Sequence, residues 1–292
     1  MTTLFKTYTY NPGYPIYSVV IPIYNQEGII VENIKSIIHN TLGTFEIILI
    51  LDYCFDNTEK NIVDFFNTYI NNKIELVQVK IFKNSDLPLF ETKCDNIGFR
   101  CSTGIYCLEI QADMNMTEMG YNLQLTKPFH MLDNVIAVSG RCAHNIYNGY
   151  GIGKFGERVN NTLEELNINR DSFYVFETCN RGPLLIHRAK LEELGFLDEE
   201  NYFLDDSDHD LMIRAYLSKG YICGYFPIDF HAPLQLGSTR NTNTYSGCNE
   251  YLVNKRELER LRNIFANKEG IQKYKSKWNN REPVCYKLSN SP

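Results

Sequence analysis

The chain has 292 residues, 43% hydrophobic and 22% charged, which allows a sizeable core in one large domain or two small ones. A formal net charge of −6 argues against a bulk electrostatic grip on nucleic acid. No run is apolar for the length of a membrane span, and "MTTLFKTYTYNPGYP" has no apolar signal-peptide core, so the expectation is a cytoplasmic protein with no transmembrane segment.

"YSVVIPIY" (17–24) is apolar and β-branched throughout, as in a strand covered on both faces. Ile30, Ile34, Ile37 and Ile38 then recur at helical spacing. "FEIILILD" (45–52) is a second buried strand, and Asp56 with Glu59 forms a capping box for a helix carrying Ile62, Phe65, Phe66 and Tyr69. "IELVQVKIF" (74–82) is a third strand, 88–102 a helix, and "IYCLEIQAD" (105–113) a fourth strand. This βαβ alternation implies a largely parallel central sheet flanked by helices, whose ligands bind beyond the carboxyl ends of the strands. Asp52, Asp113 and the loop "PIYNQ" fall at those ends, with Asn115 and Glu118 supplying further oxygens behind Asp113.

Beyond residue 115, "NVIAVSGR" (134–141) is a strand and 142–171, rich in Gly and Asn, a loop. "GPLLIHRAKLEELG" (182–195) is a strand and a short helix stopped by Gly195. "DDSDHDLMIRAYLSKG" (205–220) is a helix with an acidic start, "YICGYFPIDFHAP" a strand and loop, and 250–280 a basic helical tail. No internal repeat or linker divides the chain. The nine cysteines form no CxxC pair, which points to reduced thiols rather than zinc.

Singly, Asp52 and Asp56 suit a turn and a cap, and Asp113 suits a turn. Asp205, Asp206, Asp208 and Asp210 crowd one helix start, where the dipole favours one carboxylate but four repel each other; a cation or a base role accounts for that density. His231 ends a strand. "GIGKFG" (151–156), with Asp171 beyond, matches a dinucleotide fingerprint but lacks the strand before and helix after, so it reads as a loop. Arg181 and Lys154 read as phosphate or acceptor contacts or as solvated surface charges. The sequons "NMT" (115–117) and "NNT" (160–162) carry little without a secretory signal.

"YSVVIPIYNQEGIIVENIKSIIHNTLGTFEIILILDYCFDNT" resembles the N-terminal signature of family 2 glycosyltransferases of the GT-A fold, a strand ending in P-x-Y-N, a helix, then "EIIVVDDGSTDNT". The resemblance implies that Asp52 hydrogen-bonds a nucleotide base and that the Pro22–Tyr24 backbone lines the same pocket; Leu51 stands for the first acid of the pair and Tyr53-Cys54-Phe55 for the GST turn. "DNIGFRCSTGIYCLEIQADMNM" lines up with the stretch ending in DxD, Gln111 replacing its first acid. Asp113 keeps the last, so the resemblance gives it to a divalent cation, Mn²⁺ or Mg²⁺, and to the diphosphate it bridges.

"RGPLLIHRAKLEELGFLDEENYFLDDSDHDLMIRAYLSKGY" resembles the acceptor-side segment, in which an ED-x-D cluster opens a helix carrying Arg. Anchored on Arg214, this makes Asp208 the catalytic base, with Asp206 the second choice, and His231 completes the metal shell. The implied architecture is one GT-A domain over 1–237, a nucleotide-binding half (15–114) and an acceptor half (115–237), with a basic helical extension over 238–292. The implied activity is metal-dependent, inverting transfer of a sugar from a nucleoside diphosphate-sugar, a UDP-sugar by family expectation, to a hydroxyl of a glycan or protein. The alternatives are a nucleotidyltransferase, for which "PIYNQEG" lacks a Gly-rich basic loop, and a silent sugar-nucleotide or glycan-binding module.

Overall fold

The structure, a computed structural model, describes residues 2–70, 72–145, 151–153, 168–202, 206–232 and 284–287. They form two compact units: residues up to Leu123 with those from Asp229, and Gln124–Ile228 with 284–287.

The first unit runs β1 (Thr3–Thr9), β2 (Tyr17–Ile23), α1 (Ile30–Asn40), β3 (Phe45–Asp52), α2 (Thr58–Thr68), β4 (Leu76–Asn84), α3 (Phe90–Cys101), β5 (Tyr106–Glu109) and β6 (Asn115–Met116). Its strands lie in the order β1-β4-β3-β2-β5. β2 is parallel to β3 and β5, and β3 to β4, while the edge strand β1 is antiparallel to β4. Every residue of β3 is buried, as its unbroken apolar run predicts. Ile30, Ile34, Ile37 and Ile38 form the buried stripe of α1. α3 packs so close to β2 that a Cβ on Gly98 would lie 2.2 Å from Val20 Cγ1.

Three expectations need correction here. β1 was not anticipated, because it is mostly exposed and offers no apolar run. The fourth strand stops at Glu109, since the backbone turns at Gln111. Only half the capping box forms: Asp56 Oδ1 accepts the Thr58 N–H at 3.0 Å, whereas Glu59 pairs with Lys83 at 2.6 Å.

The second unit holds most of α4 (Tyr121–Met131), then β7 (Val135–Ser139), β8 (Cys142–His144), β9 (Gly151–Gly153), β10 (Ser172–Phe176), β11 (Thr178–Cys179), β12 (Leu184–His187), α5 (Arg188–Glu193), α6 (Ser207–Lys219) and β13 (Ile222–Tyr225). β14 (Phe230–His231) belongs to the first unit, and β15 (Val284–Lys287) lies near the end of the chain. Five strands of the second unit lie in the order β12-β7-β13-β10-β15, with β7 and β13 parallel and the other neighbours antiparallel. A largely parallel sheet therefore describes the first unit, and the whole fold is mixed α/β.

The Gly- and Asn-rich stretch is not all loop: β9 pairs antiparallel with β8, so the first three residues of "GIGKFG" are strand. Residues 284–287, expected within a helical extension, are a strand on β10. The 250–280 tail, Lys154 and Asp205 lie outside the described residues.

Candidate active site

The loops after β2 and β3 are laced together. Asn25 Oδ1 accepts the Phe55 N–H at 3.0 Å, and Thr58 Oγ1 accepts the Gln26 N–H at 2.7 Å. Glu27 Oε2 accepts from both the N–H and the side-chain amide of Asn57, at 2.9 and 2.8 Å. Asn25 and Tyr53 hold left-handed backbone, φ 49° and 52°, a conformation that costs non-glycine residues and persists where neighbours enforce it. This fixes the two loops at the carboxyl ends of adjacent parallel strands, where ligands bind in sheets of this kind. Pro22 is half-buried on β2, and Tyr24 meets Phe55 edge-on at 6.1 Å. Phe55 is 73% exposed, an aromatic face offered to a planar ligand. Beneath it, burial pushes the Cys54 thiol up to about 12, and its Sγ donates to the Ile23 carbonyl at 3.4 Å.

Asp52 is buried, and its carboxylate faces the start of α3. Oδ1 accepts from Asn84 Nδ2 at 2.8 Å and the Leu89 N–H at 2.9 Å, and Oδ2 accepts the Phe90 N–H at 2.9 Å. In a helix start these N–H groups lack intrahelical partners, so Asp52 caps α3 from outside it. Asp52, expected to hydrogen-bond a base, thus holds the start of a helix.

Asp113 sits in a turn closed by the Met114 N–H on the Gln111 carbonyl at 3.0 Å. Asn33, fully buried on α1, donates its amide to the Gln111 carbonyl at 3.1 Å and to that of Met114. A buried amide on a rigid helix therefore sets the position of the turn. Gln111 Nε2 donates to Glu91 Oε1 at 2.9 Å. Beyond the turn, β6 pairs with β14, which places His231 opposite Asn115, two residues past Asp113. The Asp229 N–H donates to Glu118 Oε2 at 2.8 Å, so Glu118, expected as a further oxygen ligand, anchors the returning chain.

Among the described residues no group of three or more His, Cys, Asp and Glu is arranged to hold a metal. The donor set near the turn is a half-buried Asp113 carboxylate and the exposed His231 imidazole. That set fits Mn²⁺ or Mg²⁺ only where ligand oxygens and water complete the shell, as a diphosphate would.

In the second unit each described acid at the start of α6 has a partner. Asp210 pairs with Arg214 Nε at 2.6 Å, and the same guanidinium donates to the Leu194 and Phe196 carbonyls at 2.8 Å each. Asp206 Oδ1 lies 3.7 Å from His209 Nε2, on a left-handed residue (φ 67°) that opens the helix. Asp208 Oδ2 accepts the Arg181 N–H at 2.9 Å and Oδ1 the His209 N–H at 2.8 Å, with Arg181 Nε at 4.0 Å. Burial works against the Asp208 charge, but His209, Arg181 and the two backbone donors outweigh it and hold its carboxyl below the usual value. Arg181 is buried against this carboxylate, which corrects its reading as a surface charge. His209 also packs edge-on against His144 at 4.6 Å. Asn180 Nδ2 lies 3.4 Å from His209 Nε2. Sequence spacing brings the acids of this cluster together but not Arg181, Asn180 or His144, which reach it from other strands and loops.

Residues 18–86 match the model of a family described as glycosyl transferase family 2. No curated protein matches the chain. Among solved structures, S. aureus TarS 1-349 is 18% identical with a TM-score of 0.50, covering 74% of this chain and 60% of that one. Its complex with UDP-GlcNAc gives 16% identity, a TM-score of 0.57 and coverage of 91% and 72%. The mannosyltransferase PcManGT from Pyrobaculum calidifontis, with GDP-Man and Mn²⁺, gives 16%, 0.54, 74% and 56%. GalNAc-T7 with UDP, GalNAc and Mn²⁺ gives 17%, 0.53, 74% and 45%. The chain thus spans less than two thirds of the length of most of these proteins. At such identities the likeness is one of fold, and the fold is GT-A.

Proposed function

We propose that this chain, which has the GT-A fold and carries the family 2 glycosyl transferase match over residues 18–86, is an inverting glycosyltransferase. It moves a sugar from a nucleoside diphosphate-sugar, in our reading a UDP-sugar, to a hydroxyl of a glycan or protein. The observation that carries this reading is the Asp113 turn, held at the carboxyl end of β5 by buried Asn33 with His231 across the β6–β14 pair.

In this reading Phe55 and Tyr24 hold the base, with the backbone from Pro22 to Tyr24 beside them. Asp52 acts through α3 rather than on the base. Asp113 and His231 would hold Mn²⁺ or Mg²⁺, which when bound would neutralise charge on the departing diphosphate. Asp208 takes the proton of the acceptor hydroxyl as that oxygen attacks the anomeric carbon from the face opposite the leaving group. Each of its oxygens keeps a lone pair beyond the backbone donor it already accepts. A placed base contributes roughly 10²–10⁴-fold.

One observation favours a second assignment of the base: the Asp206 side chain is 24% exposed and that of Asp208 only 6%. Turnover of Asp208→Asn and Asp206→Asn separates them, a collapse in one with donor binding intact naming the base. Calorimetric binding of a nucleoside diphosphate panel, with and without Mn²⁺, to the wild type and Asp113→Ala tests the whole reading. Binding of one diphosphate that Mn²⁺ tightens, with the manganese-dependent part lost in the variant, is the expected result. Absence of binding under every condition would transfer the weight to a glycan-binding module.

A further inference from the structure

The Asp113 turn presents a glutamine where a metal-binding pair would carry its first acid, and the structure shows what faces that glutamine. Gln111 Nε2 donates to Glu91 Oε1 at 2.9 Å. An ionised carboxylate only accepts, so the amide nitrogen must face it and Gln111 Oε1 turns away from Glu91. Glu91 is itself well fixed. It is the second residue of α3, where the helix dipole favours a negative charge, and Asp52 grips the two N–H groups just before it. The other side of Gln111 is fixed too, because Asn33 holds its carbonyl and that of Met114. Gln111 and Asp113 are both half-buried, while Ala112 and Met114 between and after them are buried.

We propose that Gln111 Oε1, oriented by Glu91, is an oxygen ligand of the divalent cation held by Asp113, which makes Glu91 a positioning residue for that ion. Hard cations take amide carbonyl oxygens as well as carboxylates. Glu91 does for Gln111 what carboxylates do for metal-bound histidines: it fixes which atom faces the ion and enriches that atom's electron density. The proposal rests on the metal-dependent reading above and names a ligand and its orienting partner which that reading lacks.

The test uses the full chain. Free Mn²⁺ is followed by electron paramagnetic resonance during titration in the presence of UDP, with GDP as a second probe. Circular dichroism and nucleotide binding without metal serve as folding controls. Glu91→Ala should weaken Mn²⁺ binding about tenfold or more, the usual effect of removing an orienting partner. Glu91→Gln, whose carbonyl still accepts from Gln111, should stay within about threefold of the wild type by the same reasoning. Gln111→Leu should lose at least as much as Glu91→Ala, and the double variant no more than Gln111→Leu alone, because the two residues act as a unit. Glu91→Ala at wild-type affinity, or additive losses in the double variant, would overturn the proposal and leave the Asp113 site standing. A wild type that binds no Mn²⁺ with either nucleotide would overturn both.

Discussion

Asp52 holds the start of α3 with three donors on one carboxylate, so its removal acts on stability before it acts on binding. Asp52→Ala strips an external cap and leaves the Asn84 amide and two helix-start N–H groups without this acceptor; caps of this kind contribute about 0.5–2 kcal/mol. We expect a lower urea midpoint with unchanged slope, and a nucleotide affinity that falls modestly through displacement of α3. Unaltered stability with abolished nucleotide binding would instead show that the carboxylate reads the base directly. Asp208 gives a prediction in pH. Its carboxyl is held below the usual value in the folded chain, chiefly by His209 and Arg181 against the cost of burial. A depressed carboxylate contributes stability above its unfolded value of about 3.9, and loses it as pH falls through the lower folded value. As the base it is therefore already ionised at neutral pH. Any acid limb in kcat/KM between pH 5 and 8 should persist unchanged in shape in the residual activity of Asp208→Asn. A limb in that range that vanishes with the substitution would contradict the depressed carboxyl.

The buried network at the other ends of β2 and β3 gives the strongest prediction for an element. Glu46 is fully buried on β3, paired with Lys80 of β4 at 2.9 Å. It also accepts from Ser18 Oγ and from the N–H and hydroxyl of Thr103, each at 2.7 Å. Burial raises its carboxyl, but Lys80, Ser18 and Thr103 together hold it below the usual value. Its contribution is thus present above the unfolded glutamate value of about 4.3 and fades as pH falls through the folded one. Lys80→Met leaves this charge buried without its partner, a change of about 3–5 kcal/mol when no other donor remains and less here, where Ser18, Thr103 and the Gln78 side-chain amide still donate. Equilibrium unfolding should show that loss at pH 7 and a smaller one near pH 3; equal losses at both would sink the account. On α3, Gly98→Ala forces a Cβ to 2.2 Å from Val20 Cγ1 of β2 and should cost about 1–3 kcal/mol, read as a lowered midpoint. The central strands β2 and β3 are readable because both faces are covered, so each is a nearly continuous apolar run, while β4 is readable from its alternation. β1 is not, since its stability comes from pairing Thr3 with Lys83 and its neighbours, a contact no local pattern announces. The same holds for β10 and β15, which pair Ser172 with Lys287. At the site, spacing carried the acids but not their partners: nothing local to Asp52 announces Leu89 and Phe90, and nothing local to Gln111 announces Glu91.

The two compact units divide the proposed chemistry unequally, and this gives donor binding its own pattern along the chain. Every group assigned to the donor, from Pro22 and Tyr24 through Phe55, Asp113 and Gln111 to His231, belongs to the first unit, while Asp206 and Asp208 belong to the second. A ligand at a hundred times its Kd contributes about 2.7 kcal/mol to the state that binds it, and amides whose opening breaks the site gain protection accordingly. Hydrogen exchange with saturating UDP and Mn²⁺ should therefore slow most in segments 22–27, 53–58, 89–91, 111–116 and 229–231. The N–H groups that α3 gives to Asp52 and the Met114 N–H that closes the turn are the most informative reporters, because neither contacts the nucleotide in this reading, the first fixing the start of α3 and the second the turn that carries Asp113. Asp113→Ala should keep the protection at 22–27 and 53–58, which the base supplies, and lose the manganese-dependent part at 111–116 and 229–231. Protection that rises at 206–210 on donor and metal alone, with none at 111–116, would place the cation in the second unit and remove Asp113 and His231 from the site.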